Sequence, residues 1–258
     1  MNHLVFDIET IPDVDLGRRV HGLQGLVDAD VAKAMFTLRR QENGSEFLAH
    51  EQHRVVAISC VLRTRDSLKI WSLGDPDAAE SELLARFFEG LERYVPVLIS
   101  WNGGGFDLPV LQYRALKAGI AAPKYWETGE EDTAFRFNNY LSRFHWRHID
   151  LMDVLSGFQA RARASLADVA ALLDLPGKLG FSGAKVWDTW LAGDILAIRR
   201  YCETDVLNTW LVFLRFELMR ANLTPEQYNE EVDRVRTLLG QSAEPHMQEF
   251  LREWDVLR

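Results

Sequence analysis

Leu4-Val5-Phe6-Asp7-Ile8-Glu9-Thr10 is an apolar run that turns acidic at alternate positions. Read as a strand, it sends successive side chains to opposite faces, so Asp7 and Glu9 share one side of a sheet. An acid pair at a strand's exit ordinarily marks the point where the strand meets solvent, and alone it carries little weight. Two further acids sit in equally unusual places. In Ser100-Trp101-Asn102-Gly103-Gly104-Gly105-Phe106-Asp107-Leu108-Pro109, Asp107 stands at a helix start, where a carboxylate caps free N–H groups. Capping does not explain three consecutive glycines, which point to backbone passing close to a ligand or to another strand. No Gly-Lys-Ser/Thr follows, so a P-loop is excluded.

The third stretch is Tyr201-Cys202-Glu203-Thr204-Asp205, within a helical run that includes Ile195, Leu196, Ile198, Val206, Leu207, Trp210 and Leu211. Tyr201 and Asp205 are one turn apart and share a face. An aspartate in so apolar a helix is costly unless it is paired or binds a metal. Arg199 or Arg200 would be its ordinary partner. Brought together, carboxylates at all three places would raise one another's pKa values unless a cation lay among them. Two divalent ions held by carboxylates are a common device for phosphodiester cleavage. Mg²⁺ suits oxygen ligands and keeps waters for a phosphate substrate, and Mn²⁺ is chemically close.

The chain has 258 residues, 47% hydrophobic and 26% charged, which excludes disorder as a general description. With 29 basic and 38 acidic side chains its net charge is −9. A polycationic, histone-like role is thereby excluded, and nucleic acid could bind only through a local basic groove or bound cations. Cys60 and Cys202 are too few for a disulfide framework. No run approaches the roughly 20 apolar residues of a membrane span, and Met1 to Asp7 lacks the features of a signal peptide. A soluble, cytoplasmic protein without membrane contact is expected.

Strands are expected over residues 3–9, 55–62, 68–73 and 97–101, the second and third forming a hairpin. Residues 11–53 read as a polar, irregular insertion with one helical run over 30–41. Asp77 and Glu80 suggest a capping box opening a helix that reaches Tyr94. Further helices are expected over 106–118, 165–173 and 192–219, with a glycine-bearing loop over 175–183. Thr224-Pro225-Glu226-Gln227 has a cap, a proline at the first position and a reciprocal Gln, and so opens another helix. A last one is expected over 245–254. Residues 121–148, rich in aromatics and charge, resist assignment. The order suggests a mixed α/β layer fold with a helical tail.

Taken together, the three acidic stretches resemble the three exonuclease motifs of the DEDD superfamily, in order and in spacing. The Tyr four before the last Asp resembles the DEDDy branch, and the wording is similar to that of predicted stand-alone 3′–5′ exonucleases related to the proofreading domain of family B DNA polymerases. The resemblance implies a ribonuclease H-like α/β fold, a five-stranded mixed β-sheet flanked by α-helices. It places the exonuclease domain over residues 1–221 and a C-terminal helical extension over 222–258. It implies Asp7, Glu9, Asp107 and Asp205 as ligands of two Mg²⁺ or Mn²⁺ ions, with Asp7 bridging them. Tyr201 would orient the attacking water, and its ordinary pKa near 10 leaves activation of that water to the metal. Thr10, Asn102 and Phe106 match positions near the terminal nucleotide. The implied substrate is single-stranded nucleic acid with a free 3′ end, DNA before RNA, with release of nucleoside 5′-monophosphates.

A chain of this length has no room for polymerase palm, fingers and thumb, so action alone or with separate partners is expected. The C-terminal helices offer a surface for such a partner or for self-association. A haloacid-dehalogenase-type phosphatase would need Asp at position 9, where this chain has Glu. A catalytically silent binding or scaffold module would have lost an acid or Tyr201, and all five are present.

Other signals are weaker. Arg136, Arg143, Arg147, Arg161 and Arg163 alternate with Trp126, Phe135, Phe144 and Trp146, which fits a strand-binding surface and equally a surface whose aromatics belong to the core. His145 and His148 lack the partners of a zinc site. Asp150 and Asp153 suit capping or pairing with arginine, Asp150 being the better candidate to support the acid cluster. Lys178, between Gly177 and Gly180, could contact a phosphate but reads better as an ordinary loop lysine, and Asp188 and Asp194 read as helix caps.

Overall fold

Strand β1 (His3–Pro12) sets the architecture. Its even-numbered residues Leu4, Phe6 and Ile8 are buried in one apolar layer, while Val5 and Ile11 pack into layers on the opposite side. His3, Val5, Asp7, Glu9 and Ile11 therefore share a face, and the two acids interrupt an otherwise apolar stripe. In the computed structural model, which describes residues 2–257, β1 lies at the centre of a five-stranded sheet. After it come α1 (Val14–His21), α2 (Asp28–Asn43), β2 (His53–Arg63), β3 (Leu68–Ser72), α3 (Glu80–Tyr94), β4 (Val97–Ser100), α4 (Asp107–Ala118), α5 (Pro123–Trp126) and β5 (His148–Asp150). The remaining helices are α6 (Leu151–Leu155), α7 (Leu166–Leu172), α8 (Val186–Leu191), α9 (Ile195–Met219), α10 (Pro225–Gln241) and α11 (Pro245–Val256).

The strand order is β3-β2-β1-β4-β5. β1, β2 and β3 pair antiparallel, whereas β1, β4 and β5 run parallel. This mixed sheet with helices on both faces is a ribonuclease H-like arrangement. α3 and α4 cover the even face of β1 through Phe87 and Leu111. The odd face is covered by α9, with α10 and α11 behind it through Val235 and Phe250. α9 runs antiparallel to β1: His3 meets Phe213, Asp7 meets Cys202, and Ile11 packs with Ile198. The acid pair on the strand is thereby set opposite Tyr201 and Asp205 on the helix. β4 follows β1 only through Val5, so the carboxyl half of β1 has a free edge, the usual place for a ligand in such sheets.

Several expectations need correction. β1 extends to Pro12, and the insertion holds two helices where one was expected. α1 is short, and Asp13 caps it by accepting the Leu16 N–H at 3.0 Å. The Asp77/Glu80 capping box does not form. α3 begins at Glu80, with Ala79 at the cap position and no side-chain bond there. Glu80 instead accepts the Val55 N–H at 2.7 Å and both ends of the Arg114 fork. A buried guanidinium in bidentate geometry outcompetes a solvent-facing cap. Asp188 lies inside the first turn of α8 without capping it, whereas Asp194 does cap α9, accepting the Ala197 N–H. Thr224 and Gln227 form the reciprocal box. β5, only three residues long, lies at the end of the unassigned stretch. Among the described residues no helix is long and apolar enough to cross a membrane.

Candidate active site

Four carboxylates converge at the carboxyl end of β1. Glu9 and Asp205 are each 8% exposed and Asp107 4%, while Asp7 is half-buried. Asp107 occupies the first position of α4 rather than its cap, which is Phe106. Its Oδ1 accepts the Ile8 N–H at 3.1 Å, on the strand edge that β4 leaves free. α4 is thereby tied to β1 and the third acid is carried to the first two. The fourth comes from α9. The ordinary alternative, an ion pair of Asp205 with Arg199 or Arg200, is absent among the described residues, and Arg199 donates instead to the backbone carbonyls of Ser72, Leu73, Gly74 and Asp75. Asp205 Oδ1 is buried and has no hydrogen-bond partner.

Burial first, and the neighbouring acids second, push Asp7 and Glu9 well above the ordinary carboxylate range. Burial also carries Asp107 to about 7 and Asp205 to about 6. Four desolvated acids with one orphaned oxygen form a site that lacks positive charge. Ligand atoms of Asp7, Glu9 and Cys202 lie within 4.8 Å of one another. A set dominated by carboxylate oxygens suits a hard divalent cation, so the residues present fit the metal that the resemblance implies. Burial, then Asp205 and Glu9, push the Tyr201 hydroxyl far above its ordinary range, so it is a donor and not a base.

The glycine loop is explained by its own neighbours. Asp150 Oδ1 accepts the Asn102 N–H and Oδ2 the Gly104 N–H, both at 2.9 Å, and the same carboxylate caps α6. A Cβ on Gly104 would lie 3.3 Å from Asp150 Oδ2, and one on Gly103 only 2.5 Å from the Ser100 Cβ. Gly103→Ala is therefore expected to cost about 2 kcal/mol, the usual size of overpacking, measured by urea unfolding. Asn102 takes a left-handed conformation, φ 64°, which asparagine tolerates. Asp150 is thus the support behind the loop.

Residues 45–254 match the family described as predicted 3′–5′ exonucleases related to the exonuclease domain of PolB. The chain belongs to that family. DNA polymerase 1 of Saccharolobus solfataricus is 52% identical to this exonuclease-family chain over 40 residues, 16% of this chain and 4% of that polymerase. A family B DNA polymerase from the hyperthermophilic archaeon Pyrobaculum calidifontis aligns with a TM-score of 0.48 at 17% identity, covering 85% of this chain and 24% of that one. The matched chains are thus far longer than this member of the exonuclease family.

Beside the acids, this member of the family has a cleft of about 750 Å³, lined among others by Glu9, Thr10, Phe47, Phe106, Lys178 and Trp187. One wall comes from the insertion, whose Phe47 packs its ring 5.2 Å from Phe106. His50 Nε2 meets the Gly105 carbonyl at 2.9 Å, clasping the insertion to the glycine loop. The insertion's place was not legible in the sequence, where Phe47, the single aromatic of residues 42–53, was the only signal. Lys178 is not an ordinary loop lysine. It lines the cleft, lies 5.8 Å from the Tyr201 ring, and its charge favours the ionised forms of Glu9 and Asp205; its two flanking glycines were the available signal.

The arginine–aromatic segment divides. Phe135 is buried beneath Arg147, whose guanidinium lies 3.9 Å from the ring, and Arg143 and Arg163 both pair with Asp153. Trp126, Phe144 and Trp146 are exposed. The last two precede β5, whose far end carries Asp150, so they stand away from the acid cluster. His148 bonds Ser100 at 2.8 Å and burial lowers it to about 4, while His145 Nδ1 accepts the Asn139 N–H. Neither histidine belongs to the Asp7–Glu9–Cys202 group.

Proposed function

We propose that this chain is a divalent-metal-dependent 3′–5′ exonuclease that removes nucleoside 5′-monophosphates from the 3′ end of single-stranded nucleic acid, DNA in preference to RNA. The observation that carries this reading is the convergence of the half-buried Asp7 with the buried Glu9, Asp107 and Asp205, the Asp205 Oδ1 being orphaned. A pair of Mg²⁺ or Mn²⁺ ions held by these acids would neutralise charge developing on the phosphate and lower the pKa of a water. Tyr201, protonated throughout, donates a hydrogen bond that orients the attacking water. Lys178 offers positive charge to the strand's phosphates at the cleft. Thr10, Asn102 and Phe106 hold the terminal nucleotide, with the Phe106 ring available to a base face. Support for a single strand is the cleft itself, bounded by the insertion on one side and α8 on the other.

Residues 1–221 are the proposed catalytic domain. Residues 222–258 are the proposed helical extension, whose α10 is joined to β2 through the Arg63–Glu231 pair and which is available for a protein partner or self-association.

The test uses a 5′-labelled single-stranded oligonucleotide with Mg²⁺ or Mn²⁺, and parallel reactions with EDTA, with Asp7→Ala and with a blocked 3′ end. A metal-dependent ladder shortening from the 3′ end, lost in Asp7→Ala, is expected. A folded protein that yields no ladder on DNA or RNA would instead be a silent binding module. Tyr201→Phe should slow the reaction about 10²-fold, the usual worth of a positioned proton donor. Its Mn²⁺ affinity by calorimetry should stay unchanged.

A further inference from the structure

Thr10 lines the cleft directly beside Glu9, where β2 carries an irregularity that opposes Glu9 to Ala57 but Thr10 to Val55. Such bulges re-aim side chains next to functional sites. The Thr10 Oγ1 meets His53 Nδ1 at 2.8 Å, and His53 Nε2 meets the Leu48 carbonyl at 3.3 Å. A carbonyl only accepts, so Nε2 carries a proton. His53 is buried in an aromatic nest, its ring 5.0 Å from Phe106 and 5.4 Å from Phe47, and burial keeps the imidazole neutral. A neutral ring with its proton on Nε2 has a bare Nδ1. The Thr10 hydroxyl must therefore donate to His53, and its oxygen is left with lone pairs alone toward the cleft.

We propose that His53 fixes the polarity of Thr10, so that the cleft reads the end of a strand through a hydroxyl donor on its terminal sugar and refuses an end capped by phosphate. The inference rests on the nuclease reading above and adds the chemistry by which the end is recognised. A terminal hydroxyl donates to the Thr10 oxygen. A terminal phosphate monoester is largely ionised near neutral pH, brings acceptors only, and meets those lone pairs. The donor has two sources, the 3′-hydroxyl or the 2′-hydroxyl of a ribonucleotide. His53 is a positioning residue here. The Leu48 carbonyl that sets its tautomer belongs to the insertion, which thereby shapes specificity as well as walling the cleft.

The experiment compares 5′-labelled single strands ending in a 2′-deoxynucleotide, a 2′,3′-dideoxynucleotide, a 3′-deoxyribonucleotide and a 3′-phosphate. Removal of the first nucleotide is measured as kcat/KM with Mn²⁺, and binding by fluorescence anisotropy with Ca²⁺. Wild type should favour the 3′-hydroxyl over the dideoxy end about tenfold, the worth of one hydrogen bond of this kind, and leave the 3′-phosphate uncut. His53→Phe, which keeps the aromatic packing, and Thr10→Val should each bring the hydroxyl and dideoxy ends within about twofold of one another. A 3′-deoxyribonucleotide end handled like the 3′-hydroxyl end assigns the contact to the 2′-hydroxyl, and one handled like the dideoxy end assigns it to the 3′-hydroxyl. Equal handling of all ends by wild type overturns the proposal, as does a preference that survives in both variants. Binding reads the same preference without turnover, so an inactive wild type would sink the nuclease reading while this arm still decides the polarity.

Discussion

Replacing Asp205 with Asn is expected to make the metal-free protein more stable at pH 8 while abolishing turnover. In the folded chain Asp205 titrates near 6 against an ordinary value of 3.8, and its neighbour Asp107 near 7. A carboxyl whose pKa is raised by folding contributes stability below its unfolded value and loses it as pH rises through the folded one. In EDTA the wild type should therefore lose stability between about pH 4 and pH 7, the opposite of the usual acid limb. Ionising Asp205 inside the fold rather than in water costs about 3 kcal/mol, and the cost of burying an amide in its place leaves about 2 kcal/mol as the expected gain of the variant. At this chain length that is about 5 °C in Tm. Mn²⁺ should reverse the order, raising the wild-type Tm and leaving the variant nearly unmoved, while the variant's cleavage falls on the order of 10³-fold or more. A variant less stable than wild type in EDTA would show that the carboxylates do not repel one another in the fold.

The second large effect lies outside the acid cluster. Arg114 is 3% exposed and pairs with Asp13 and Glu80, each at 2.5 Å, while Lys117 adds a contact to Asp13 at 3.0 Å. The knot joins α4, the first turn of the insertion and the start of α3. Breaking a buried pair from one side leaves uncompensated charge and costs about 3–5 kcal/mol. Arg114→Ala should accordingly lower Tm by about 10 °C. The wild-type knot also has its own pH signature. Despite the cost of burial, Arg114, the Leu16 N–H and Lys117 hold Asp13 down to about 2. Its stabilisation is present above the ordinary aspartate range and is lost as pH falls from about 4 toward 2. An Arg114→Ala protein as stable as wild type, or one that keeps the same acid limb, would remove the knot from the account.

How much of this could be read beforehand follows from range. Asp7 and Glu9 were legible because alternation on one strand is a local rule, and Tyr201 and Asp205 because one helical turn is another. Their convergence needed the antiparallel packing of α9 on β1, which no local pattern encodes, and came only through resemblance. The knot was hidden because Glu80 looks like a cap until the guanidinium of a later helix reaches it. β5 was hidden for a different reason: three residues carry too little periodicity to mark a strand, and its place comes from pairing with β4. His53 offered no signal at all, since its meaning depends on a carbonyl five residues earlier and a hydroxyl on another strand.

The Asp7–Cys202 contact spans 195 positions of the chain. A ribosome adds about 5–20 residues each second. On that clock, Asp7 leaves the tunnel on the order of ten seconds or more before the helix carrying Asp205 can dock against it. The acid cluster therefore cannot exist until the helix carrying Asp205 has been made and has left the tunnel. A site built this way has no complete set of ligands until its sheet and its long helix have both been made.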